Sequence, residues 1–361
     1  MKIGILTYYG VHSHGAVLQA NALKKVLTEM GHEVCFITFE RNYDFLPLSQ
    51  VSKYKIALSS VSFYAKYLSE KGLKNIIYNL KKNNTLNKYR ATNFKLGARY
   101  TEYKGDAVVI GSDEVFSLEI GINPWMYGHG IGCEKIITYA ACFGPTTLND
   151  IKRKHVEELV SSGLKKINFI STRDMNTKII AEKLSGQSVT MVCDPVILYG
   201  YEKEMHLYKP KENNYILVYS YDKNMNDDLE IKQIMKYAKK YNRKVLSVGY
   251  QHSWCDKNIN VNPNELLGYI RNAKAVITDT FHGAVLSIIC NCEFVVKLRN
   301  NHNKLAFLMK EYDLTERIIR EFSELENVFN QKINYDEVNK LIMKKRKESV
   351  EYLNKALQYE E

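Results

Sequence analysis

Residues 275–289 read Ala-Val-Ile-Thr-Asp-Thr-Phe-His-Gly-Ala-Val-Leu-Ser-Ile-Ile, and the fold is decided there. A short β-branched run ends in Thr278-Asp279-Thr280-Phe281-His282-Gly283 and gives way at once to apolar residues at helical spacing. The pattern predicts a strand, a tight turn and a helix. In an open α/β sheet, ligands bind at the carboxyl end of such a strand, beside a helix N-terminus whose unpaired N–H groups favour anions. His282 is the leading candidate for chemistry, because an imidazole with an ordinary pKa near ~6.5 exchanges protons at cellular pH. Gly283 permits a sharp turn or a close approach. The other reading of His282 is a residue that only caps the helix or hydrogen-bonds within the turn.

Outward from this stretch the same alternation continues. A strand at 215–219, a helix at 227–241, a strand at 244–248 and a short helix opened by Asn262-Pro263-Asn264-Glu265 precede it. A strand at 293–297 and helices near 304–313 and 335–358 follow. Upstream, residues 201–214, with Pro210 and mixed charge, read as a linker. The first half opens with a strand at 2–7, a turn rich in Gly and His (10–15), a helix from Ala16 to Met30 stopped by Gly31, and a strand at 34–39. This βαβ opening lacks Gly-x-Gly-x-x-Gly, so a dinucleotide is not indicated. Further strands follow at 106–110, 135–141, 167–171 and 189–193, with helices near 148–164 and 175–185, and the strand ends of this half, the first included, deliver His12, His14, Asp113, Arg173 and Asp194 to one rim.

The expected fold class is α/β, with two Rossmann-like doubly wound domains facing a cleft. The expected boundaries are 1–205, carrying a basic helical insertion at about 45–104, then 206–330, then a C-terminal helix at 331–361.

Composition agrees with a folded chain: 361 residues, 45% apolar and 25% charged. No apolar run approaches the ~20 residues of a spanning helix, and residues 1–10 read as a first strand rather than a signal peptide. The expected location is therefore cytoplasmic. The seven cysteines form no Cys-x-x-Cys pair, and reduced thiols with no metal site are expected. The net charge of +11 is concentrated: residues 52–104 hold twelve Lys or Arg and two acids, about +10 in one stretch. With its interleaved tyrosines this stretch reads as two or three amphipathic helices. They form either a solvated insertion or a surface that meets an anionic membrane or acidic polymer. No nucleic-acid motif accompanies the charge.

Six segments in order resemble the polysaccharide pyruvyl transferase family. They are Gly4–Thr7 with His14-Gly15-Ala16-Val17-Leu18-Gln19-Ala20; Val109-Ile110-Gly111-Ser112-Asp113-Glu114-Val115-Phe116; Tyr139–Gly144; Ser171-Thr172-Arg173-Asp174; Asp194-Pro195-Val196; and Thr278–Gly283. The resemblance implies a fold similar to GT-B glycosyltransferases. It also implies transfer of pyruvyl from phosphoenolpyruvate onto two hydroxyls of a sugar in a cell-surface polysaccharide or its precursor, giving a cyclic ketal and phosphate, with no metal and no cofactor beyond the donor.

On that resemblance His282 is the proton shuttle. Asp113 orients or deprotonates an acceptor hydroxyl, or alternatively holds the N–H groups of its own turn. Arg173 suits the phosphate and carboxylate of the donor, or alternatively pairs structurally with nearby acids. His14, Gly15, Ser112, Asp279, Thr280, Gly283 and Lys304 complete the expected substrate-binding set, with His14 and Gly15 equally readable as a capping loop. Many members carry arginine two residues before the motif histidine; here that position is Thr280, and Lys304 or Arg299 would have to compensate. Two other functions fit the sequence: a GT-B glycosyltransferase using a nucleotide sugar, and a non-catalytic protein docking on acidic polymer or membrane through residues 52–104. An enzyme held peripherally at the inner membrane face, near a lipid-linked acceptor, combines them.

Overall fold

A computed structural model describes residues 1–40, 61–299 and 303–358, with the backbone alone over 61–71. Two parallel sheets dominate it. In the first half, β1 (Lys2–Leu6), β2 (Glu33–Thr38), β3 (Leu96–Arg99), β4 (Ala107–Ile110) and β5 (Ile136–Thr138) lie in the order β3-β2-β1-β4-β5. The pair β6 (Ile170–Thr172) and β7 (Val189–Met191) continues this sheet through bridges from Ile137 to Phe169 and from Ala141 to Thr172. In the second half, β8 (Tyr215–Tyr219), β9 (Lys244–Val248), β10 (Lys257–Ile259), β11 (Ala275–Thr278), β12 (Phe294–Lys297) and β13 (Ile318–Ile319) lie in the order β10-β9-β8-β11-β12-β13.

The central strands β4 (Ala-Val-Val-Ile) and β11 (Ala-Val-Ile-Thr) are buried along their whole length. Continuous β-branched runs of this kind suit a parallel strand covered on both faces. In each sheet the winding reverses at the centre, between β1 and β4 and between β8 and β11. The carboxyl ends of these four strands are the two switch points at which such sheets bind ligands.

The halves are not separate bodies of core. One apolar cluster runs from Ile3 and Leu18 through Tyr201 and Tyr215 to Leu353. The last helix, Tyr335–Gln358, returns to the first half. There the Tyr352 hydroxyl donates to the Thr138 carbonyl (2.8 Å), Arg346 Nε donates to the Ile197 carbonyl (2.7 Å), and the Cys193 N–H donates to Ser349 Oγ (3.0 Å).

Several local expectations change. The helix expected at 148–164 is two, Leu148–Arg153 and Glu157–Leu164, separated at His155, whose φ is +53°. The linker contains a short helix, Glu204–Leu207. The insertion expected to end near 104 ends earlier, because Leu96–Arg99 is β3, paired with β2; residues 45–60 lie outside the described residues. What precedes β3 is a single helical run, Val61–Asn93, interrupted at Gly72 (φ 72°, ψ 160°). Its charge is not all solvated. Lys82 is only 4% exposed and lies over the Tyr250 ring at 3.9 Å, and burial pushes its ammonium down to about 7. Among the described residues no helix is long and apolar enough to cross a membrane.

Candidate functional site

A cleft of about 860 Å³ opens where the two switch points face each other. Glu114 and Gly144 line it from the first half, and Tyr221, Thr280, Phe281 and Lys304 from the second. One layer beneath lies the charge cluster expected from the rim. Arg173 Nη1 donates to Asp194 Oδ2 (2.6 Å), and Nη2 donates to Asp113 Oδ1 (2.8 Å). The Arg173 and Asp194 side chains are each 1% exposed, whereas Asp113 keeps 21% and is the member of the trio that still reaches solvent. Asp174 is absent from this trio; it caps the helix Met175–Ser185 by accepting from the Thr177 N–H (2.8 Å).

The second half closes the cluster from above. The Arg173 guanidinium lies over the Phe281 ring at 4.4 Å, and Lys304 Nζ lies 5.5 Å from the same centroid. Lys304 forms an ion pair with Glu114 across the cleft. Phe281 therefore meets two cations, with the His282 ring perpendicular to it at 5.4 Å. Thr280, not His282, caps this helix: its Oγ1 accepts from the Gly283 N–H (2.9 Å). The capping alternative for His282 is thereby taken by another residue, and the imidazole Nε2 is buried with no hydrogen-bond partner.

Electrostatics separates the titrating groups. Burial lowers the His282 pKa below its ordinary value; Asp113 and Asp194 oppose that, while Arg173 and Lys304 reinforce it. Burial alone would raise the Asp113 carboxyl, but Arg173, with His282 and Lys304, holds it down to about 2. Burial also works against the Lys304 ammonium, yet Glu114 outweighs it and keeps the group charged. Asp279 goes the other way, raised by burial despite Asn224 Nδ2 (2.8 Å) and Arg299 Nε (3.4 Å) donating to its Oδ2. The result is an imidazole whose neutral form burial favours, set among charges of both signs.

The remaining expected residues fall into two groups. Asp279, Thr280 and Lys304 line the cleft. Ser112, Gly15, Gly283 and His14 lie behind it. Ser112 is buried, its carbonyl accepting from Thr7 Oγ1 (3.0 Å). Gly15 is needed for packing, because a Cβ there would overlap Cβ and Cγ of His282. Gly283 likewise leaves no room beside Thr278 Oγ1. His14 is fully buried, and its Nε2 is 2.8 Å from the Val261 carbonyl, so that nitrogen carries the proton and donates. Its side chain ties the halves together rather than facing the cleft.

Phe281, Glu114 and Tyr221 were not singled out from the sequence. Tyr221 and Asn224 follow β8, so the strand-end rule applied to β4 and β11 would have found them. Arg299, considered as a substitute cation, lines the cleft but is gripped by Glu230 through both terminal nitrogens (2.7 and 2.8 Å). No group of three or more His, Cys, Asp and Glu among the described residues is arranged to hold a metal ion.

Comparison with known structures supports this architecture. A UDP-GlcNAc 2-epimerase from Methanocaldococcus jannaschii, bound to UDP-GlcNAc and UDP, is 12% identical with a TM-score of 0.51, over 95% of this chain and 99% of that one. Another UDP-N-acetylglucosamine 2-epimerase is 11% identical with a TM-score of 0.53, over 100% of this chain and 98% of that one. At such identities the likeness shows the fold alone, and that fold is GT-B-like. None of the curated proteins compared with the chain matches it in sequence. The sequence model of the polysaccharide pyruvyl transferases matches residues 14–301, from the His14-Gly15 turn to beyond β12. The chain therefore belongs to the polysaccharide pyruvyl transferase family, a transferase family whose name implies a sugar or polysaccharide acceptor.

Proposed function

We propose that this protein transfers the pyruvyl group of phosphoenolpyruvate onto two hydroxyls of a sugar in a cell-surface polysaccharide or its precursor. The observation that carries the reading is the half-buried His282 imidazole, its Nε2 buried and unpartnered, set among Asp113, Arg173 and Lys304 from both halves, with a pKa that burial lowers. In this reading the donor phosphate and carboxylate lie against Lys304, Arg299 and the N–H groups that open the helix Phe281–Ile289, where the helix dipole favours anions. Thr280 supplies a hydroxyl where many members carry a guanidinium, so Lys304 takes the larger share, and Glu114 must yield it.

The steps balance on one base. His282 takes the proton of the first acceptor hydroxyl, whose oxygen bonds C2 of the enol as the double-bond pair captures a proton from the imidazolium at C3. The methylene becomes a methyl. The second hydroxyl oxygen then bonds C2 while the C2–O bond to phosphate breaks, and its proton leaves with phosphate by way of His282. Asp113 stabilises the transient imidazolium and holds the acceptor hydroxyl.

Incubation with phosphoenolpyruvate and a panel of sugars tests this: phosphate release and a product heavier by one pyruvylidene group are expected. Thermal stabilisation by UDP or GDP but not by phosphoenolpyruvate, with transfer of a sugar instead, would overturn it in favour of a nucleotide-sugar glycosyltransferase.

A further inference from the structure

We infer that the outward face of the helix Val61–Asn93, from Leu73 to Lys88, docks on an anionic lipid bilayer. Leu73, Ile77 and Leu80 are 64%, 44% and 64% exposed. Spaced four and three apart, they form one stripe along the helix. Lys74, Lys81 and Lys88, exposed at seven-residue spacing, run alongside them. No Asp or Glu occurs between residues 72 and 93.

The opposite face is fully committed, so the helix cannot roll to bury the stripe. Asn75, Tyr78, Lys82, Leu86 and Tyr89 are buried. The Tyr78 hydroxyl donates to the Ile259 carbonyl (2.8 Å), Asn260 Nδ2 donates to Thr85 Oγ1 (3.1 Å), and the Tyr89 hydroxyl donates to Asn264 Oδ1 (3.1 Å). This divides the segment's positive charge: Lys82 and Arg90 face the protein, with Arg90 Nη1 donating to the Val11 carbonyl (3.0 Å), and the three outward lysines remain for a partner.

Charge complementarity selects an anionic partner, and the apolar stripe selects a bilayer over a dissolved polyanion. An acidic polymer would satisfy the lysines and leave two leucines and an isoleucine in water, whereas the headgroup boundary of a bilayer takes both. The inward face of the same helix lies close to the cleft, so the docking surface is one helix thickness, about 10 Å, further out. Lys82 lies over Tyr250, whose ring centroid is 5.4 Å from that of Tyr221, and Tyr221 lines the cleft. Docking would bring that edge of the cleft to the membrane, where a lipid-carried acceptor would arrive. The inference does not depend on the identity of the donor.

The test is sedimentation of the full-length chain with phosphatidylcholine vesicles, with and without phosphatidylglycerol. Binding to the anionic vesicles alone, weakened by salt, is expected. Lys74→Gln, Lys81→Gln and Lys88→Gln combined should weaken it on the order of a hundredfold. Leu73→Gln, Ile77→Gln and Leu80→Gln combined should weaken it about tenfold or more while sparing binding to polyglutamate. Should either combination disturb the fold, as circular dichroism would reveal, Ile77→Trp alone decides, since its fluorescence should be quenched by brominated acyl chains. No sedimentation with anionic vesicles would overturn the inference. So would an unaffected apolar variant, or an unquenched Trp, either of which would point to an acidic polymer.

Discussion

The two halves of the molecule carry the same dipeptide in the same kind of place. His14-Gly15 opens the helix that follows β1, and His282-Gly283 lies in the first turn of the helix that follows β11. Both lie at the seam between the halves, and Gly15 is there so that His282 can approach. Their surroundings differ. His14 has Nε2 committed to the Val261 carbonyl, and burial, helped by the nearby Lys82 charge, pushes its pKa down to about 3. His282 has Nε2 unpartnered, and two carboxylates, Asp113 and Asp194, oppose the effect of its burial. A proton on His14 meets a cation alone; a proton on His282 meets two carboxylates as well as the cations Arg173 and Lys304. The dipeptide marks the seam, and its neighbours decide which copy can do chemistry.

The largest effect should come from truncating the two histidines in turn. His282→Ala is expected to lower kcat about a thousandfold while phosphoenolpyruvate still raises the melting temperature. His14→Gln, whose amide can reproduce the donation to Val261, is expected to cost less than about tenfold. Equal losses would erase the distinction. Gly15→Ala comes next: its methyl must displace the imidazole, and a misplacement of that order costs roughly a hundredfold in kcat. An unchanged rate would show that His282 need not lean on Gly15.

The third prediction concerns stability. The folded-state pKa of His14 lies below the unfolded value, so the unfolded chain binds the extra proton as pH falls. Its contribution is present above about pH 6.5 and is lost on acidification towards 3, at about 1.4 kcal/mol per pH unit. Denaturant titrations at several pH values should show a shallower slope for His14→Gln. The smallest effect is expected from Glu114→Gln. Releasing Lys304 from its partner should lower the KM for phosphoenolpyruvate a few-fold and leave kcat nearly unchanged.

The strand ends were legible because parallel strands buried on both faces are written as unbroken β-branched runs, as in Ala107–Ile110 and Ala275–Thr278. The charge cluster of Asp113, Arg173 and Asp194 was legible as a rim for the same reason, although the sequence could not say that Arg173 would be held by both acids. The short edge strands Lys257–Ile259 and Ile318–Ile319 were missed because neither carries an apolar period of its own. The inward turn of Lys82 was hidden too. A lysine in a basic run reads as solvated, and only its burial with the ammonium over the Tyr250 ring reveals otherwise. His14 and His282 looked alike because partners such as Val261 and Asp113 are remote in sequence.

The central claim is that His282 works as a neutral base beside carboxylates, and the pH dependence of kcat/KM tests it most directly. A base with a lowered pKa must lose its proton to act, so activity should be full at neutral pH and fall on acidification along a limb centred below pH 6.5. That limb should vanish from the residual activity of His282→Gln. A limb centred above 6.5, or one that persists unchanged in His282→Gln, would contradict the account.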